Sequence, residues 1–162
     1  MKHSAEDLED FRDSELINSN LIQRVAPSTY QLHPLIRKFF QSQLSSASNA
    51  DEMKEQFCQK MSDISGEIPL GLTLADKRSD FFSLSVPHII SAATEWKDWL
   101  SQSGLVQACT GLGHFYQAQG LFEEAYPWRK QSLDHGSTEA DENSIDHLSS
   151  LMYLGSLKFS QG

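Results

Sequence analysis

Apolar residues recur along this chain mostly at the spacing of helices. Leu8 and Phe11 share one face of a first helix, which Ser4 and Asp7 open in the manner of a capping box, and a short second helix is expected over residues 14–20. The β-prone run 21–25, turn chemistry at 26–29 and alternation at 30–32 predict a small β-hairpin. Residues 33–44 then read as a helix: Leu35, Ile36, Phe39, Phe40 and Leu44 keep the 3.6-residue period, and Pro34 falls in the first turn, where its missing N–H costs nothing. Residues 45–49 are a polar linker. Beyond it, Met53, Phe57, Met61 and Ile64 stripe a helix over 51–64, which the stretch 66–71 breaks. Two more helices are expected over 74–84 and 86–100, the latter with Pro87 in its first turn.

The last third carries the clearest pattern. Residues 105–119 and 121–135 read as two amphipathic helices joined by a tight turn at Gly120. Small residues at Gly113 and Ala125 mark where the two helices approach closely, with Leu112, Tyr116, Phe122 and Trp128 around them. An acidic segment, 134–146, without Lys or Arg, separates this hairpin from a further helix over 145–160. Leu112-Gly113 recurs as Leu154-Gly155 and Gln119-Gly120 as Gln161-Gly162, an offset of 42 residues. That is an internal repeat of hairpins, which bury their apolar faces by stacking.

Composition narrows the function classes. The net charge is −9 over 162 residues, and basic residues are scattered, so nonspecific nucleic-acid binding is not expected. Cys58 and Cys109 have neither metal-ligand spacing nor a disulfide framework, which suits a reduced, cytoplasmic setting. No apolar run is long enough for a signal core or a membrane span.

Catalytic patterns are missing from the sequence. It holds no Gly-x-x-x-x-Gly-Lys-Ser/Thr phosphate cradle, no Gly-x-Ser-x-Gly elbow and no i, i+4 pair among its six histidines. Gly111-Leu-Gly113 lies inside a helical pattern with no strand before it, so close packing explains it better than phosphate binding. Trp96, Trp99 and Trp128 read as core residues. No enzymatic activity, metal or resident cofactor is expected.

Gly113, Tyr116, Gly120, Ala125 and the Pro127-Trp128 step resemble the tetratricopeptide (TPR) repeat of the long-loop, kinesin-light-chain-like kind, with a period of about 42 residues where the common form has about 34. Arg129 and Ser132 depart from that pattern, which usually has an aromatic and an Ala there, and they are expected to weaken packing on the next repeat. In that family the ligand lies on the concave face of the first helix of each hairpin. By position this implies Gln107, Thr110, His114 and Gln117, followed by Ser149, Met152 and Ser156, facing a protein or peptide.

Residues 21–40, with Leu32-His-Pro-Leu35 at their centre, resemble the winged-helix segment that follows the nucleotide-binding core of NB-ARC-type STAND ATPases, bacterial (cyanobacterial-like) members of which continue into a helical linker and TPRs. The resemblance implies that His33 senses nucleotide, ADP or ATP, when a longer parent supplies the phosphate-binding domain. Within this chain alone, His33 reads as a packing residue at a helix start.

The expected architecture is mostly α: the C-terminal part of a winged helix with its hairpin (1–49), helical linker hairpins (50–104), and a TPR-type α-α superhelix of one full repeat plus the first helix of a second (105–162). The expected function is a protein-interaction scaffold in the regulatory-sensor portion of a STAND-type signalling ATPase. The alternative is a TPR-containing winged-helix transcriptional regulator that binds DNA, against which residues 1–49 set five Lys/Arg and six Asp/Glu. Leu148, Leu151, Met152, Leu154 and Leu157 would lie on an unpartnered face of the last helix, so self-association or fraying is expected there.

Overall fold

The computed structural model describes residues 5–27, 29–44, 47–72, 78–136, 152 and 155. The fold is mostly α-helical with one small two-stranded antiparallel sheet, and the chain divides into two units, Met1–Ala50 and Asp51–Gly162.

In the first unit, helix α1 (Ala5–Phe11) runs without a break into a π-helical turn, Arg12–Ile17, where two separate helices were expected. Phe11 keeps helical dihedrals (φ −62°, ψ −43°), so nothing interrupts the backbone there. The segment stops at Asn20, whose φ of 58° is left-handed. The Leu21 N–H then reaches back to the Leu16 carbonyl (3.0 Å) and the Asn20 N–H to that of Ile17 (2.9 Å), a Schellman closure in which Asn replaces the usual Gly.

Strands β1 (Ile22–Ala26) and β2 (Thr29–Leu32) pair antiparallel, with Ile22 opposite Leu32 and Arg24 opposite Tyr30, and the register shifts between Arg24 and Ala26. The Arg12 guanidinium lies 4.7 Å over the Tyr30 ring and hydrogen-bonds Asp13 at 2.7 Å, tying the π-turn to the hairpin. Helix α2 (Pro34–Leu44) follows and buries none of its residues.

The second unit holds α3 (Ala50–Gly66), α4 (Ser79–Thr94), a 3-10 turn (Lys97–Trp99), α5 (Gln102–Ala118) and α6 (Phe122–Gly136). Its core joins Phe82, Val86, Ile89 and Ala93 of α4 to Leu105, Ala108, Cys109, Leu112 and Phe115 of α5, with Ile68 and Leu72 from the α3–α4 connection. Met61 and Ile64 of α3 and Trp128 of α6 pack on the edges.

Helix α4 corrects the sequence expectation of two helices parted before Pro87. It is one helix, with Pro87 inside it. An interior Pro costs roughly 3 kcal/mol. Here Pro87 and Ser83, whose carbonyl loses its N–H partner, both face solvent, so water can serve that carbonyl. Phe82, Val86 and Ile89 lie on the buried side across the break, and each contributes about 1.5–3 kcal/mol of burial. The continuous apolar stripe outweighs the lost bond.

Helices α5 and α6 form the expected hairpin. Ser101 caps α5, its Oγ accepting from the Gly104 N–H at 3.0 Å. Gly120 ends it at φ 73°, with the Leu121 N–H on the Tyr116 carbonyl (2.9 Å) and the Gly120 N–H on that of Gln117 (3.0 Å). This is a full Schellman motif, and it reverses the chain at once into α6. The Gln102 amide donates to the His135 carbonyl at 2.8 Å and ties the open end of the hairpin. Gly120→Ala is expected to cost about 1–2 kcal/mol through its left-handed backbone, since no atom crowds the added Cβ. Urea denaturation checks it, and an unchanged midpoint would contradict the assigned turn.

The acidic segment beyond residue 136 and the helix expected over 145–160 lie outside the described residues, apart from Met152 and Gly155, both helical.

Candidate functional site

Helix α5 stands between three helical neighbours, and each contact has its own chemistry. Against α4 it is apolar. Against α3 it is small and polar: the fully buried Ser62 hydroxyl donates to the Gly104 carbonyl (3.1 Å), and the fully buried Ser65 hydroxyl to that of Ala108 (3.0 Å). A Cβ at Gly111 would lie 2.8 Å from the Ser65 carbonyl carbon and closer still to the Ser65 oxygens. Gly111 thus lets the α3 backbone come close enough for serine hydroxyls to satisfy α5 carbonyls.

Against α6 the contact centres on Arg129. This side chain has no exposed surface, and its Nη2 donates to Gln117 Oε1 at 2.9 Å. A Cβ at Gly113 would lie 2.7 Å from Arg129 Cδ, so Gly113 makes room for the arginine stem. Ala125 is buried on the same side of α6. Arg129 is an interior residue of the hairpin; the next repeat, whose packing it was expected to weaken, lies outside the described residues apart from Met152 and Gly155.

The four residues expected to face a ligand fall along the seam between α3 and α6. Gln107 is exposed at the α3 edge, where its Oε1 accepts from the Ser62 hydroxyl at 3.2 Å. Thr110 is half-buried, and its hydroxyl shares a 2.7 Å hydrogen bond with Ser132 of α6. Gln117 is half-buried on Arg129. His114 is withdrawn from the surface, 6% exposed, with Nδ1 3.0 Å from the Ile68 carbonyl. That carbonyl only accepts, so Nδ1 carries the hydrogen. Solvent reaches Gln107 and the edges of Thr110 and Gln117, while His114 fastens the α3–α4 connection to α5. Ser149 and Ser156 lie outside the described residues; Met152 is helical and 77% exposed.

His33 sits just ahead of α2 and is exposed; it is not packed under the hairpin. Its Nδ1 accepts from the Leu35 N–H at 3.3 Å, and its carbonyl accepts from the Arg37 N–H at 2.9 Å, so it caps the helix. The three tryptophans, expected in the core, are half-buried, and of them Trp128 packs against it. Trp96 meets Phe57 edge-on at 5.0 Å, and Lys54 Nζ lies 4.8 Å over Trp99.

Among the described residues, no group of three or more His, Cys, Asp or Glu is placed to hold a metal ion, and no helix is long and apolar enough to cross a membrane. A shallow depression on α3, lined by Glu55, Gln56, Gln59, Lys60 and Asp63, is the outer face of a single helix and not a cleft. The buried serine seam escaped sequence reasoning. Its signal was small residues at helical spacing on two helices, but spacing does not say which helices meet.

Burial raises both thiols. Cys109, fully buried, is pushed up from an ordinary value of 9.0 to about 12, and Cys58, with Sγ 3.6 Å from the Trp96 carbonyl, moves the same way. A thiol raised in the folded state keeps its full contribution below its unfolded pKa and loses it as pH climbs through the folded one. Stability is therefore expected to fall between about pH 9 and pH 12, by up to ~1.4 kcal/mol per pH unit for Cys109. Denaturation of the parent and Cys109→Ala at neutral and alkaline pH isolates this contribution; parallel alkaline losses in both proteins would contradict it.

Comparison of the chain with protein families, characterised proteins and solved structures finds no match.

Proposed function

We propose that the chain is a protein-interaction module, a TPR-like scaffold that serves as the regulatory-sensor portion of a STAND-type signalling ATPase and lacks the nucleotide-binding core. One observation carries the reading. A Schellman-closed helical hairpin, α5–α6, packs through α5 against the preceding helices α3 and α4, and a strip of side-chain amides and hydroxyls lies along its seam. Gln107, Thr110 and Gln117 offer the amide and hydroxyl groups that a peptide backbone needs, with no charge to demand a counterion. The β-hairpin leading into a His33-capped helix supports the winged-helix assignment of the first unit. Regulation then works by population shift: a ligand that binds the released arrangement better moves the equilibrium towards it. His33, exposed at the start of α2, is free to meet a phosphate carried by a longer parent.

The alternative, a DNA-binding regulator, draws on residues 21–50, which hold Arg24, Arg37 and Lys38 and no acidic residue. Three cations are few beside the roughly six to ten phosphate contacts of a typical DNA-binding protein. The peptide reading is tested by panning a displayed random-peptide library against the full chain. Enriched peptides are expected to bind in the micromolar range and to lose about fivefold affinity, or ~1 kcal/mol, on Gln107→Arg. Peptides indifferent to position 107, or salt-sensitive binding of duplex DNA in their place, would overturn it.

A further inference from the structure

The first unit carries two surfaces of complementary charge, one on α2 and one on α1. On α2, Leu35 and Phe39 lie one turn apart beside Phe40, and all three are exposed, Leu35 by 69%. Arg37 and Lys38 flank them, and Arg24 is exposed on β1. Residues 21–50 contain these three cations and no Asp or Glu, in a chain of net charge −9. On the other side, residues 1–20 hold six acidic residues against Lys2 and Arg12. Their helix, α1, exposes Glu9 and Asp10 alongside the exposed ring of Phe11. An acidic helix with an apolar anchor and a basic helix with an apolar stripe thus sit in one unit, each with its anchor left to solvent.

We infer that these surfaces meet between two copies of the chain, α1 of one lying on α2 of the other. A two-fold axis makes the pairing occur twice, because the same patch that gives α1 also gives α2. The doubled pairing is what lets two short helices approach the area that a specific interface requires. Apolar anchors supply the attraction, and the charges set which helix pairs with which. This interface uses none of the residues of the α5 seam and stands apart from the proposed peptide binding.

Sedimentation of the full chain tests it. At low ionic strength a monomer–dimer equilibrium with a dissociation constant on the order of 10 µM is expected, at least about tenfold weaker in high salt. Arg37→Glu with Lys38→Glu makes both pairings acid on acid, and Glu9→Lys with Asp10→Lys cancels the charge of α1 and sets two of its cations against Arg37 and Lys38. Each double variant alone is expected to be monomeric. Mixed in equal amounts they are expected to form a heterodimer, since every contact is again between opposite charges; this rescue also shows that both variants are folded. A parent that stays monomeric, a dimer that survives either reversal (as one built on the segment around Met152 would), or a mixture that does not associate overturns the inference. So does a chain that remains monomeric while Arg37 and Lys38 bind phosphatidylserine vesicles.

Discussion

Gly111→Ala is expected to destabilise the second unit by about 3 kcal/mol, against the intrinsic preference of the helix that contains it. In an exposed helix, replacing Gly by Ala contributes roughly 1 kcal/mol of stability. At Gly111 the new methyl would stand 2.8 Å from the carbonyl carbon of Ser65, and backbone cannot swing aside as a side chain can. Helix α3 must move off α5. That movement stretches the Ser65 hydrogen bond to the Ala108 carbonyl and opens a void around two buried serines. Overpacking of this kind costs about 1–3 kcal/mol or more, and a buried carbonyl left unserved adds ~1–3 kcal/mol, so the clash wins over the propensity gain. For a domain of this size the loss corresponds to a melting temperature lower by about 10 °C or more. Gly104→Ala, on the same face, is the control. Its Cβ would come no closer than 3.1 Å to any neighbour, the Ser101 hydroxyl, and a near-neutral change is expected there. Thermal unfolding followed by circular dichroism distinguishes the pair. Equal melting temperatures for the two variants would mean that α3 and α5 do not approach as described.

Arg129→Ala is expected to be comparably damaging, at about 3–4 kcal/mol. The arginine is the largest fully buried side chain in the described residues. Removing it empties the space that Gly113 provides and strips Gln117 Oε1 of its donor. The cavity supplies most of the estimate, and the half-buried Gln117 acceptor, left without its donor, adds a smaller part. Arg129→Lys is expected to fall short of restoring stability, because an ammonium does not reproduce the planar fork that reaches Gln117 from within the hairpin. The double variant Arg129→Met with Gln117→Leu removes the polar pair and keeps much of the volume. It is expected to lie within ~1 kcal/mol of the parent, since a buried polar contact can be replaced by apolar packing at little cost. If Arg129→Ala proves as stable as the parent, Arg129 is not an interior residue of the α5–α6 hairpin.

Local rules made parts of this fold legible from the residues. Pro34 and the Leu35, Ile36, Phe39, Phe40 period mark α2, and the turn at Gly120 follows because only Gly adopts a left-handed backbone there without strain. The register of the hairpin is compatible with the alternation at residues 30–32. Where the reading failed, a tertiary term overrode a local one. Pro87 looks like the start of a helix, yet the buried stripe from Phe82 to Ala93 carries α4 through it. Arg129 reads as a charged departure at a position where the repeat pattern has an aromatic, and the missing Cβ of Gly113 is what admits it to the interior. The candidate site shows the same limit. The 3.6-residue period places Gln107, Thr110, His114 and Gln117 on one stripe, but it does not reveal that the α3–α4 connection covers His114 or that α6 engages Thr110 and Gln117.

The claim that this chain is the sensor half of a larger signalling ATPase is tested most directly by the transcript and reading frame that flank it. An in-frame Gly-x-x-x-x-Gly-Lys-Ser/Thr cradle upstream of Met1 and further hairpins at the 42-residue spacing of Leu112-Gly113 and Leu154-Gly155 downstream are the expected result. Stop codons on both sides, with a promoter of its own, would contradict it and leave a free-standing adaptor in which His33 is only a helix cap.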